Sequence, residues 1–219
     1  MTGQAPTVFL VDDDPGVLKA LTILLTVSGY DVKPFGSARE FLEHHDASLR
    51  GCAVFDVAMP DVDGLELQAA LLEKKIDRPV IFVTGFGDIP TSVRAMKAGA
   101  VDFITKPVGD QQLLEAVAQA VERDAAARKT TNELKSIEAS LARLTPRELE
   151  VLTHVIAGKL NKQIAHELGT VINTVKVHRG RAMKKLGVTS VAELVRIAQR
   201  AGVQPAAGTT RRSAVCSKG

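Results

Sequence analysis

Short apolar runs alternate with amphipathic stretches through the first 121 residues. Val8–Val11, Asp31–Phe35, Ala53–Asp56, Val80–Thr84 and Val101–Thr105 are rich in β-branched and aromatic residues and have strand length. Between them, Val17–Val27, Ala38–His44, Leu65–Glu73, Thr91–Ala98 and Gln111–Val121 place apolar residues at helical spacing, as Val17, Leu18, Leu21, Leu24 and Leu25 do in the first. Five strand–helix units in series predict an α/β domain with a doubly wound parallel sheet covered by helices on both faces.

The pattern changes after residue 121. Residues 122–143 are rich in Ala, Glu, Lys and Arg and contain no Gly or Pro, which predicts a helical connector. Leu134, Ile137, Leu141 and Leu144 form a stripe on it. That stripe suits either packing against a neighbouring domain or pairing with a second copy of the chain. Residues 144–203 read as four short helices. Thr145 caps the first, with Pro146 and Glu148 in its first turn, and Gly158 ends it. Asn161 is expected to cap "NKQIAHELG", and Thr170 or Asn173 the basic helix closed by Gly187. "VAELVRIAQRAG" is the fourth. Residues 204–219, with Pro, Gly, Thr, Ser and Arg, are expected to form a disordered tail.

Charge divides the chain at a similar place. Residues 1–124 carry 11 Lys+Arg against 19 Asp+Glu, and residues 125–219 carry 17 against 6, so the net +3 conceals an acidic half and a basic half. The basic half points to a polyanion, most simply nucleic acid. No apolar stretch approaches the ~20 residues needed to span a bilayer, and the N-terminus has no charged and apolar leader pattern, so a cytoplasmic protein without membrane association is expected. The two cysteines, Cys52 and Cys216, have no metal or disulfide spacing.

In a sheet of this kind the active site lies at the carboxyl ends of the strands, where strand order reverses. Asp12, Asp13 and Asp14 follow the first strand, Asp56 ends the third, Thr84 ends the fourth and Lys106 follows the fifth. Two unit charges about 4 Å apart repel by roughly 4 kcal/mol at an effective dielectric of about 20, so such an acidic edge calls for a cation. A hard, oxygen-binding ion that takes few protein ligands beside a phosphate suits it, and Mg2+ fits that description. Asp56 can then act as a nucleophile toward phosphorus, with Lys106 and Thr84 placed to hold the phosphoryl oxygens.

Through "VDDDP", "FDVAMPDVDG", "VTGFGD" and "DFITKP", residues 7–121 resemble a receiver domain of two-component response regulators. The resemblance implies strand order 2-1-3-4-5 and makes Asp56 the phosphoacceptor. It assigns Mg2+ to Asp12, Asp13, Asp56 and the Ala58 backbone carbonyl, the phosphoryl group to Thr84 and Lys106, and the role of switch aromatic to Phe103. It also implies that Asp14 caps the next helix and that the Lys106–Pro107 bond is cis.

Residues 144–202 resemble the LuxR-type DNA-binding domain through "LTPRELEVL", "NKQIAHELG", "TVKVHR" and "KLGV". The combination points to the FixJ/NarL subfamily and, through "GFGDIPTSVRAMKAGAVDFITKP", to its FixJ branch. On the second helix of the helix-turn-helix, Asn173, Lys176, Val177, Gly180 and Lys184 share the outward face. The expected DNA contacts are Lys162, Thr174, Lys176, Val177, Arg179, Arg181 and Lys184.

The function this implies is transcriptional regulation. A sensor histidine kinase phosphorylates Asp56, the chain forms a homodimer, and the basic domain binds promoter DNA and acts on the transcription machinery. The only enzymatic chemistry expected is Mg2+-dependent self-phosphorylation and dephosphorylation on Asp56. A phosphorelay carrier and a DNA-binding regulator that works without phosphorylation are the alternatives. A haloacid-dehalogenase-like phosphatase is excluded, because it needs a second Asp two residues after the nucleophile, where Ala58 stands.

Overall fold

The computed structural model describes residues 5–85 and 89–206, which form two compact units dividing between Lys129 and Thr130. Residues 86–88 of the "VTGFGD" motif lie outside the described residues, as do 207–219 of the expected tail with Cys216.

The first unit contains five parallel strands in the order β2-β1-β3-β4-β5. These are β1 (Thr7–Val11), β2 (Asp31–Phe35), β3 (Gly51–Asp56), β4 (Val80–Thr84) and β5 (Asp102–Thr105). The helices between them are α1 (Pro15–Val27), α2 (Ala38–His44), α3 (Gly64–Glu73) and α4 (Ile89–Lys97), and α5 (Asp110–Ala142) follows β5. β1, β3 and β4 are buried at every position, the signature of a parallel sheet covered on both faces. One face packs Phe9, Phe35, Phe55 and Phe82 against Phe41 of α2 and Leu67 and Leu71 of α3. The other packs Val8, Leu10, Val54, Ile81 and Val83 against α1 and the start of α5. β1 and β3 are neighbours, so chain order reverses between them and their carboxyl ends lie side by side.

The caps follow the sequence chemistry. The Asp14 side chain accepts from the backbone N–H groups of Gly16 and Val17 and starts α1. Asp63 and Glu66 form a reciprocal capping box at the start of α3.

α5 is longer than the segment expected for the last helix of the sheet domain. It continues without a break to Ala142, so residues 122–142 are helical as an extension of it and not as a separate element. Near its middle, α5 is tied to the backbone that leads into β3. Buried Asp124 accepts the backbone N–H of Gly51 at 2.8 Å and pairs with Arg128. Arg128 in turn donates to the backbone carbonyls of Ala47, Ser48 and Leu49.

The second unit contains the end of α5 with α6 (Pro146–Ile156), α7 (Asn161–Glu167), α8 (Ile172–Leu186) and α9 (Val191–Arg200). Val151, Leu152, Val155, Ile164, Val175 and Leu194 make its core. Thr145 and Glu148 form the capping box of α6, and Ser190 with Glu193 does the same for α9. Two expected caps differ. Leu160, not Asn161, is the N-cap of α7, and Val171 caps α8 without a side-chain hydrogen bond. The Leu160 N–H is satisfied by Gln163 Oε1 at 2.8 Å, while the Asn161 side chain accepts from Arg179. The expected disordered tail begins with order, since the Ala206 N–H donates to the Thr153 carbonyl at 3.0 Å.

Candidate functional sites: an acidic strand-end cluster and a basic helix

Asp12, Asp13, Asp56 and Lys106 come from the ends of β1, β3 and β5, and the fold brings them together. One carboxylate oxygen from each of Asp12, Asp13 and Asp56 lies within 4.8 Å of the others. Lys106 Nζ donates to Asp12 Oδ2 at 2.7 Å and to Asp56 Oδ2 at 3.0 Å. Asp12 and Asp56 are buried, and Asp13 is exposed. Burial raises the Asp12 pKa, and the hydrogen bonds from Lys106 and from the Asp14 N–H offset only part of that rise. For Lys106, burial works against the charged ammonium. The bonds to Asp12 and Asp56 outweigh it, so its pKa is raised.

Three carboxylates facing one ammonium leave an excess of negative charge. Their donor atoms are all hard oxygens, so the set fits a divalent cation such as Mg2+.

Thr84 is fully buried at the end of β4, in register with Thr105, and its carbonyl accepts the Lys106 N–H at 2.7 Å. That bond ties two of the expected phosphoryl-binding residues to adjacent strand ends. Phe103 is half-buried, with its ring 6.4 Å from that of Phe82. Ala58 is exposed, and its N–H donates to Asp56 Oδ1 at 3.3 Å. The Lys106–Pro107 bond is cis.

Gly64 belongs to this site and carried no assignment from the sequence. A Cβ placed on it would lie 2.3 Å from the Asp56 carbonyl oxygen. The N–H of Gly64 also donates to the Val57 carbonyl at 3.1 Å, so α3 begins directly against the backbone of Asp56 and Val57. The signal for it was "PDVDG", a glycine one residue after a cap.

The second cluster lies on α7 and α8. Val175 and Ala182 are buried, and Leu186 packs against the core. Asn173, Lys176, Val177, Gly180, Arg181 and Lys184 are exposed on α8, and Lys162 is exposed on α7. Thr174 is half-buried. Arg179 is also half-buried and donates through Nη1 to Asn161 Oδ1 at 3.2 Å, a contact between the two helices that the sequence did not reveal.

α8 is anchored at its other end by Lys185, which bonds buried Glu148 at 2.6 Å and the Arg143 carbonyl at 3.0 Å. The Lys185 ammonium and the Thr145 N–H hold the Glu148 carboxyl at about 2, well below the usual 4.5.

Both units match known protein families. Residues 8–118 match the response regulator receiver domain, and residues 142–198 match the bacterial regulatory proteins of the luxR family. The chain is 44% identical to Nodulation protein W of Bradyrhizobium diazoefficiens over 196 residues, 90% of this chain and 86% of that protein. It is 43% identical to Transcriptional regulatory protein FixJ of Rhizobium meliloti over 199 residues, 91% of this chain and 98% of that protein. Among solved structures, the response regulator StyR is similar with a TM-score of 0.84 at 44% identity, covering 90% of this chain and all of that one. Full-length FixJ from B. japonicum is similar with a TM-score of 0.56 at 38% identity, over 91% of this chain and 98% of that one. With a receiver sheet whose strand ends gather an acidic cluster, and a helical unit that presents a basic helix, the chain belongs to the FixJ-like response regulators, transcriptional regulators that join a receiver to a LuxR-type DNA-binding domain.

Proposed function

We propose that Asp56 is the phosphoacceptor of a two-component pathway and that its phosphorylation controls DNA binding by the second unit. The observation that carries this reading is the convergence of Asp12, Asp13, Asp56 and Lys106 from three strand ends, with both buried carboxylates bonded to one ammonium.

An Asp56 carboxylate oxygen attacks the phosphorus of a phosphohistidine on a sensor kinase. The new O–P bond forms as the N–P bond breaks, and the departing imidazole nitrogen takes up a proton. Asp12, Asp13, Asp56 and the Ala58 carbonyl would hold Mg2+. When bound, the ion supplies positive charge that offsets the carboxylate repulsion and stabilises the transferring group. Lys106 keeps one carboxylate oxygen of Asp56 engaged before transfer, and its ammonium then serves a phosphoryl oxygen instead. The Thr84 hydroxyl donates to another. That bond draws the Thr84 hydroxyl inward and frees space for Phe103 to turn inward, and the surface of α4 and β5 changes with it.

The changed surface forms a homodimer, aided by the stripe of Leu134, Ile137 and Leu141. The dimer presents two copies of α8 to promoter DNA in the cytoplasm and recruits the transcription machinery. Lys176 and Val177 read base edges, while Lys162, Thr174, Arg181 and Lys184 contact the phosphate backbone.

The test is Asp56→Asn. With a small acyl phosphate donor and Mg2+, the wild-type chain should gain base-labile phosphate, dimerise in light scattering and bind operator DNA more tightly. The variant should do none of these. Full labelling of the variant, or operator binding that responds equally to the donor in both, overturns the reading.

A further inference from the structure

Gly180 is unlike the other glycines of the described second unit. Gly158, Gly169, Gly187 and Gly202 all have positive φ at helix ends, where the backbone requires them. Gly180 stands in the middle of α8 with ordinary helical φ, and a Cβ built on it meets nothing within 4 Å. Neither conformation nor crowding within the domain calls for a glycine there. A helix-interior glycine nonetheless weakens the folding equilibrium about fivefold relative to alanine.

Its neighbours on the helix surface are the exposed Lys176 and Lys184, four residues to either side, and the exposed Val177. Of the two adjacent arginines, Arg179 is drawn toward α7 by its bond to Asn161, and Arg181 is exposed. The exposed face of α8 therefore has a bare spot framed by lysines and one short apolar side chain.

An α-helix with its side chains is about 10–12 Å across, and the major groove is about 12 Å wide, so the depth a helix reaches depends on the bulk of its outward residues. Valine is short and meets a thymine methyl only if the helix axis comes close. We propose that Gly180 is the point of closest approach between α8 and the base edges. Its missing side chain lets Val177 reach a thymine methyl group, which makes Gly180 a specificity-determining residue. This rests on α8 being the helix that enters the groove.

The experiment compares full-length wild type, Gly180→Ala and Lys176→Ala on duplexes selected by the wild type from a random pool. Gly180→Ala should slow hydrogen exchange of α8 amides about fivefold and yet weaken binding to the selected duplex about tenfold or more. No charge is lost, so its salt slope should be unchanged. Replacing the read thymine by deoxyuridine should weaken wild-type binding several-fold and leave Gly180→Ala unaffected. Unchanged affinity of Gly180→Ala, a faster-exchanging α8, or an equal thymine-to-deoxyuridine loss in both proteins overturns the proposal. If Lys176→Ala binds the selected duplex as wild type does, α8 is not the reading helix and the underlying assignment fails. If Lys176→Ala loses binding while Gly180→Ala keeps it, only the close approach fails.

Discussion

The backbone of Gly64 leaves no room for a side chain because the carbonyl oxygen of Asp56 occupies that space, 2.3 Å from where a Cβ would stand. The first residue of α3 is thereby fitted to the backbone of Asp56, the proposed phosphoacceptor. Gly64→Ala should force one of the two to move. The Asp56 carbonyl carbon at 3.1 Å and the Phe82 ring at 3.2 Å close the remaining directions. Overpacking of this kind costs about 1–3 kcal/mol. Urea unfolding should show that loss, and labelling by a small phosphodonor should slow. A variant with wild-type stability and labelling rate would show that α3 moves away freely.

Removal of Asp13 should separate ion binding from folding. Asp13 is exposed, so Asp13→Ala takes no packing from the core. Anything that binds only the folded state raises the melting temperature by mass action. Millimolar Mg2+ should therefore raise the melting temperature of the wild type, and Asp13→Ala should lose that rise. An unchanged response to Mg2+ in the variant would remove Asp13 from the ligand set.

Acid should weaken the helical unit through Glu148. Its carboxyl is held at about 2 in the folded chain against an ordinary 4.5. A depressed carboxylate contributes stability above the unfolded value and loses it as pH falls through the folded value. Wild type should thus lose stability between about pH 4.5 and 2 through this group. Glu148→Gln should be less stable near neutral pH, and its deficit should shrink across that window. Parallel pH–stability curves for the two proteins would contradict the Glu148–Lys185 anchor.

The charged residues of α8 should divide by role. Losing a phosphate contact lowers the salt slope of log affinity by about 0.9, whereas losing a base contact costs about 1–3 kcal/mol and relaxes sequence preference. Arg181→Ala should act in the first way and Lys176→Ala in the second. Arg179 is tied to Asn161, so Asn161→Ala and Arg179→Ala should be non-additive in their effects on operator affinity. Additive losses, with a reduced slope for Arg179→Ala, would make Arg179 a phosphate contact in its own right.

Most of the sheet domain was legible because buried parallel strands read as continuous apolar runs. Carboxylates gathered at the ends of such runs repel one another unless a cation offsets them, so their placement itself pointed to chemistry. β2 and β4 have the bounds their patterns suggest, Thr145 caps as its chemistry suggests, and Asp14 caps as the receiver resemblance implies. What remained hidden depended on contacts between distant residues. That residues 122–142 are helical was legible from their composition, but the bonds of Asp124 and Arg128 to the backbone around residues 47–51 join distant segments and no local pattern carries them. Asn161 looks like a cap by type, yet its side chain serves Arg179, 18 residues later. Gly64 could be seen to follow a cap, but its contact with Asp56 is a matter of packing.

The central claim is that Asp56 carries the phosphoryl group. Peptide mapping of the wild-type chain after exposure to a small phosphodonor and Mg2+, with the acyl phosphate trapped by borohydride reduction, tests it most directly. The modification should fall on Asp56 alone. Its appearance on Asp12 or Asp13, with Asp56 unmodified, would contradict the account.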